Sequence, residues 1–154
     1  MEHDLRTVIV LNKKLDPGRM LNVTGHLMLA LATGMPEADR LRPRTYVDAD
    51  GGIHPAISHH PVIVLQAKNS NALRTLRANL REKGIFCTDF THTMADGGTE
   101  VQMETTRTSP EAELEYYGVC CFGSRAQLDA MTRKFSLVKG TTDSADPPGR
   151  TTGR

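Results

Sequence analysis

Apolar positions along this chain alternate between short solid runs and longer stretches with a helical beat. Thr7-Val8-Ile9-Val10-Leu11 is β-branched and continuously apolar, which predicts a buried strand. After Asp16-Pro17-Gly18, the residues Met20, Val23, Leu27 and Leu31 recur at helical spacing. Asp16 suits the N-cap, and Pro17 suits the first helical position, where its missing N–H costs nothing. Gly34-Met35-Pro36 stops that helix, and residues 34–60 read as a long connection with a short strand at Thr45-Tyr46-Val47. Val62-Ile63-Val64-Leu65 is a second strand. Asn69 or Ser70 caps a second helix running to Lys83, with Leu73, Leu76 and Leu80 on its core face and Gly84 ending it. Ile85 to Thr88 is a third strand ending at Asp89. A polar stretch from Thr91 to Glu113 is broken at Gly97-Gly98. Tyr116 to Phe122 is a fourth strand, and Ser124 with Gln127 forms a capping box for a third helix that buries Leu128, Met131 and Phe135. The alternation predicts an α/β fold: a three-layer, mostly parallel four-stranded sheet with helices on both faces. It forms one domain over 1–139, with insertions near 34–60 and 94–113. Residues 140–154 have nothing apolar to bury and are expected to be a disordered tail.

Composition narrows the functional classes. The 154 residues suffice for one core, and 19 basic against 18 acidic residues leave no bulk charge to attract a polyanion. Trp is absent and aromatics are few, so a base-stacking platform of the single-strand-binding kind is not expected. Cys87 stands alone, and Cys120 and Cys121 would face opposite sides of a strand, so the thiols read as small buried hydrophobes in a reducing cytoplasm. No signal-peptide pattern and no apolar run of about 20 residues is present, so a cytoplasmic protein without a membrane partner is expected.

Candidate chemistry follows from topology. Ligands of open α/β sheets bind beyond the carboxyl ends of the strands. That rule gathers Asn12, Lys13 and Lys14 with Lys68 and Asn69, and with Asp89, Thr91, His92 and Thr93. The first helix adds Gly18 and Arg19 at its positive end, and Asn22 and His26 one turn apart on one face. Such a set can bind and polarise an ester or phosphate, with Asp89 or His92 as base. His54, His59 and His60 crowd one segment without paired metal spacing, so no metal and no cofactor is expected. Asp48-Ala49-Asp50-Gly51-Gly52 opens like a calcium loop but lacks the later ligands, and reads as a tight turn. Arg74, Arg77 and Arg81 share one helix side: a solvated face, or contact with a nucleic-acid backbone.

The strand TVIVLNKKL, the Gly18 helix start leading to His26, HHPVIVLQA, Cys87-Thr88-Asp89-Phe90-Thr91 and ELEYYGVCCFGSRAQLDAMTRKFSL together resemble the type II peptidyl-tRNA hydrolase superfamily. The likeness, to an uncharacterised bacterial branch in particular, spans roughly residues 6–138. It implies that His26, Asp89 and Thr93 fall on functional positions, with Arg19 where the family has lysine. Val23 stands in place of a glutamine and Met94 in place of a second polar group. The implied activity is ester hydrolysis or acyl transfer on an aminoacyl- or peptidyl-tRNA-type substrate, with Arg19 holding an oxygen, Asp89 as base, and Thr93 and His92 assisting. The competing expectation is a non-catalytic module binding a small anion or a partner protein on the same rim. A homodimer is a further expectation. The reading requires Arg19 and Asp89 to share one hollow.

Overall fold

The computed structural model describes residues 4–139; the expected tail at 140–154 lies outside them. β1 (Leu5–Asn12) is the central strand, and Val8, Ile9, Val10 and Leu11 are buried on both its faces. It pairs in parallel with β4 (Val62–Ala67) and antiparallel with β6 (Tyr116–Ser124). β5 (Cys87–Thr91) lies antiparallel on β6, and a two-residue β7 (Ser136–Leu137) lies antiparallel on β4. The sheet order is β5-β6-β1-β4-β7. A separate ribbon, β2 (Pro43–Val47) with β3 (Ile53–Ser58), fills the first long connection.

Pleat parity divides the core in two. On one face α1 (Pro17–Gly34) packs Val23, Leu27 and Leu31 against Ile9, Leu11, Phe90, Cys120 and Phe122. On the other, α2 (Ser70–Glu82) and α4 (Arg125–Thr132) pack Leu73, Leu76, Leu80 and Leu128 against Val8, Val10, Val119 and Cys121. The adjacent cysteines therefore serve different cores. Burial pushes the Cys120 thiol up to about 12 and Cys121 up as well, so both act as small hydrophobes. The caps form as their chemistry dictates: Asp16 Oδ1 accepts from Arg19 N at 3.0 Å, and Asn69 Oδ1 from Ala72 N at 3.0 Å. Gly84 takes the left-handed φ of 67° that closes α2. No helix among the described residues is long and apolar enough to cross a membrane.

Several expectations need correction. The α/β class and the helices on both faces hold, but the sheet has five strands, and β1–β4 is its one hydrogen-bonded parallel pair. β1, β4 and β5 run in one direction because apolar-faced helices carry the chain back between them. The segment before β6 holds α3 (Thr99–Thr108), which buries no residue and leaves Val101 60% and Met103 67% exposed. Such a helix cannot cover a sheet face, so the chain turns back at the same end and β6 runs antiparallel. β5 extends to Thr91, which puts Asp89 in mid-strand rather than at the end. Ser124 makes no side-chain cap bond, and α4 stops before Phe135. The Asp48 turn forms as expected, its Oδ1 accepting from Asp50 N and Gly52 N at 2.9 Å.

Within the core, Gly118 is required by close approach. A Cβ on Gly118 would lie 2.8 Å from Leu27 Cδ1 and 3.1 Å from both Leu11 Cδ2 and Val23 Cγ1. Gly118→Ala should therefore cost about 1–3 kcal/mol through overpacking. Urea unfolding that shows no loss would mean that α1 shifts freely on the sheet.

Candidate functional site

The carboxyl ends of β1, β4 and β5 do lie at one end of the molecule, as their shared direction requires. Which face each side chain takes is decided by parity. Asp89 is in register with Val119, a residue of the α2-side core, and its Oδ2 accepts from Arg77 Nε at 2.8 Å. Arg19 lies on α1, where its guanidinium reaches the Ala95 carbonyl and Asp96 Oδ1, both at 3.4 Å. The sheet stands between Arg19 and Asp89. They share no hollow, and the expected joint active site is not assembled.

The remaining candidates are also dispersed. His26 is exposed on α1 with its ring 5.6 Å from Phe90, and Asn22 is exposed on the same helix. Gly18 lies in the first turn of α1, close to its cap residue Asp16. His92 is anchored at the surface, its Nδ1 accepting from Glu115 N at 3.0 Å. Thr91 and Thr93 are buried, with their Oγ1 atoms 2.7 Å apart. Thr106 Oγ1 lies 2.8 Å from both Thr93 Oγ1 and the Gln102 carbonyl. A carbonyl only accepts, so a self-consistent proton order runs from Thr91 to Thr93 to Thr106 to Gln102 O. These hydroxyls tie α3 to the end of β5.

Around Asp89 a polar network closes on itself, with Tyr116 at its hub. Tyr116 is buried. Its hydroxyl donates to Glu111 Oε1 at 3.0 Å, its N–H donates to Ser70 Oγ at 2.7 Å, and its carbonyl accepts from Asn12 Nδ2 at 3.2 Å. Arg74 and Arg77 lie over its ring at 5.4 and 5.9 Å. Arg74 also donates to Glu111 Oε1 at 3.0 Å and to the Leu114 carbonyl at 2.6 Å. Burial raises the Tyr116 pKa, and the Glu111 hydrogen bond adds to that. Burial is the largest single influence and works against the Arg77 charge, but the hydrogen bond and charge attraction of Asp89, with smaller attractions from Tyr116 and Cys87, together hold the guanidinium above its ordinary value. Two of the three stripe arginines are thus engaged within the fold. Sequence reasoning passed over Tyr116; a β-bulge between the Phe90 and Thr91 pairings turns it toward α2 while Tyr117 stacks on Phe90.

A cavity of about 590 Å³ opens beside the carboxyl ends of β1 and β4. Lys13, Lys68 and Asn69 line it as the rim rule expects, and Lys134, Phe135 and Ser136 are brought in by β7. No carboxylate lines it, and none of the three lysines has an ion-pair partner among the described residues. Lys14 remains on the exposed loop, its N–H bonded to Asn12 Oδ1 at 3.0 Å. Lys134 and Ser136 were missed because only the pairing of β7 with β4 carries them there.

Two predictions follow from these contacts. Asp89→Ala should lower stability by about 1.5–3 kcal/mol, and Arg77→Ala made on that background should cost less than it does alone. Strict additivity in denaturant unfolding would show that the pair is uncoupled. The second concerns His60, which is buried and bonds through Nε2 to the Arg40 carbonyl at 3.1 Å; desolvation lowers its pKa. The unfolded chain then takes up a proton near pH 6.5 that the fold refuses. Stability should be flat above that pH, fall as pH drops through it, and level off below the folded pKa. His60→Gln should flatten the slope; an unchanged Tm-versus-pH curve would assign it to another group.

Residues 5–139 match the family model described as "Protein of unknown function (DUF2000)". Among solved structures, the chain is similar to a protein of unknown function from Agrobacterium tumefaciens strain C58. The TM-score is 0.75 and the identity 21%, over 88% of this chain and 98% of that one. That likeness concerns the fold. No curated protein matches.

Proposed function

We propose that this chain, which belongs to the DUF2000 family, is a binding module that holds a small phosphate-bearing anion in the cavity lined by Lys13, Lys68 and Lys134. The observation that carries the reading is their convergence from three separated segments with no acid among the lining residues. An anion there would accept their hydrogen bonds and offset positive charge that has no carboxylate partner among the described residues, Lys134 Nζ itself lying 5.4 Å over the Phe135 ring. Phe135 offers an apolar wall for whatever bears the phosphate. No imidazole or carboxylate lines the cavity to serve as general base, which favours binding over turnover.

The likeness to the type II peptidyl-tRNA hydrolase superfamily is retained as a proposal about the fold. A first strand feeding a capped helix, then a parallel return beside it, supports it. Hydrolysis or acyl transfer through Arg19 and Asp89 is the less supported reading, because the sheet separates the pair.

Thermal-shift and calorimetric titrations with inorganic phosphate, pyrophosphate and a nucleoside monophosphate test the reading. At least one should bind in a salt-sensitive manner. Lys13→Ala and Lys68→Ala should each weaken that binding about tenfold, roughly one charge-assisted hydrogen bond, while Asp89→Ala leaves it unchanged. Absence of binding beyond a matched chloride control would overturn the proposal. So would peptidyl-tRNA turnover that Asp89→Ala abolishes.

A further inference from the structure

A second polar cavity, of about 700 Å³, lies at the other end of the sheet, where β1 and β4 begin and β6 ends. Asp4, Asp39, Arg40, Arg42, His60 and Ser124 line it. The 3₁₀ turn Ala38–Leu41 brings Asp39 and Arg40 over the start of β4. Arg42 closes that turn with a left-handed φ of 48°, uncommon for a side chain of its size.

His60 is the informative residue. It is 4% exposed, and its Nε2 must carry a hydrogen because the Arg40 carbonyl, 3.1 Å away, can only accept. Nδ1 is therefore a lone-pair acceptor, and it has no hydrogen-bond partner among the described residues. A nearly buried imidazole that lines the cavity and has no protein donor at Nδ1 can accept a hydrogen bond from a ligand there. Asp4 and Asp39 add two carboxylates without ion-pair partners among the described residues. Arg40 supplies the opposite sign, its guanidinium over the Phe122 ring at 5.8 Å and bridged to Glu37 at 3.3 Å. Ser124 heads α4 without capping it, so its hydroxyl remains available.

A lining of both signs selects the ligand. A simple anion would be pressed against Asp4 and Asp39, and a simple cation against Arg40 and Arg42. A metal ion is disfavoured, since no group of three His, Cys, Asp or Glu among the described residues could hold one. We infer that this cavity binds a small amino-acid-like zwitterion, its ammonium toward Asp4, Asp39 and His60 Nδ1 and its carboxylate toward Arg40 and Ser124. The site is independent of the lysine cavity and shares no lining residue with it.

Calorimetric titration of the full chain with free L-amino acids, their N-acetyl forms and their amides tests the inference without any substitution. At least one free amino acid should bind at one site, and blocking either end should weaken it at least about tenfold. Asp39→Asn and Ser124→Ala should each weaken it about fivefold, whereas Lys68→Ala should leave it unchanged and weaken only the phosphate titration. Three results would overturn the inference: no binding at about 10 mM, where even a millimolar site would be filled; equal binding of the N-acetyl form; or binding lost in Lys68→Ala and retained in Asp39→Asn.

Discussion

Side chains on β1 point alternately into two cores, and this alternation constrains the rest of the molecule. Val8 and Val10 enter the core beneath α2 and α4, while Ile9 and Leu11 enter the one beneath α1. A strand buried on both faces needs a helix on each and hydrogen-bonded neighbours on both edges. β4 and β6 supply the edges, one parallel and one antiparallel. A shift of one residue would exchange the two cores entirely.

The same parity governs chemistry. In β5, Asp89 goes to the α2 side and Phe90 to the α1 side, so a carboxylate one position from an apolar contact meets a different set of partners. Asp89 finds Arg77 and becomes part of a saturated network with Tyr116, Glu111 and Arg74. Arg19 instead ties α1 to the loop before α3. The lysine cavity lies at one end of the sheet and the mixed-charge cavity at the other.

Much of the architecture was legible. The apolar run at Thr7–Leu11, the Asp16-Pro17 and Asn69 caps, the leucine face of α2 and the Gly84 stop all appear as their local chemistry requires. The direction of β6 was misjudged by extending the strand–helix alternation across 94–113, a segment read as an insertion. Its few apolar residues, Val101 and Met103 among them, could have warned that no helix there could cover a sheet face. Within the site, Lys13, Lys68 and Asn69 were reached through the strand-end rule. Lys134 and Ser136 depend on β7, two residues too short to leave a periodic signal.

Taken alone, the sequence determined the strands β1, β4 and β6, the helices α1 and α2 with their starts and stops, and which faces of those two helices are buried. Those features depend on periodicity and capping within a few residues of each other. Only the tertiary structure decided the direction of β6, the separation of Arg19 from Asp89, and the gathering of three lysines around one cavity. These depend on pairing register between segments from about 70 to more than a hundred positions apart, where a single step of the pleat sends a side chain to the other face of the sheet.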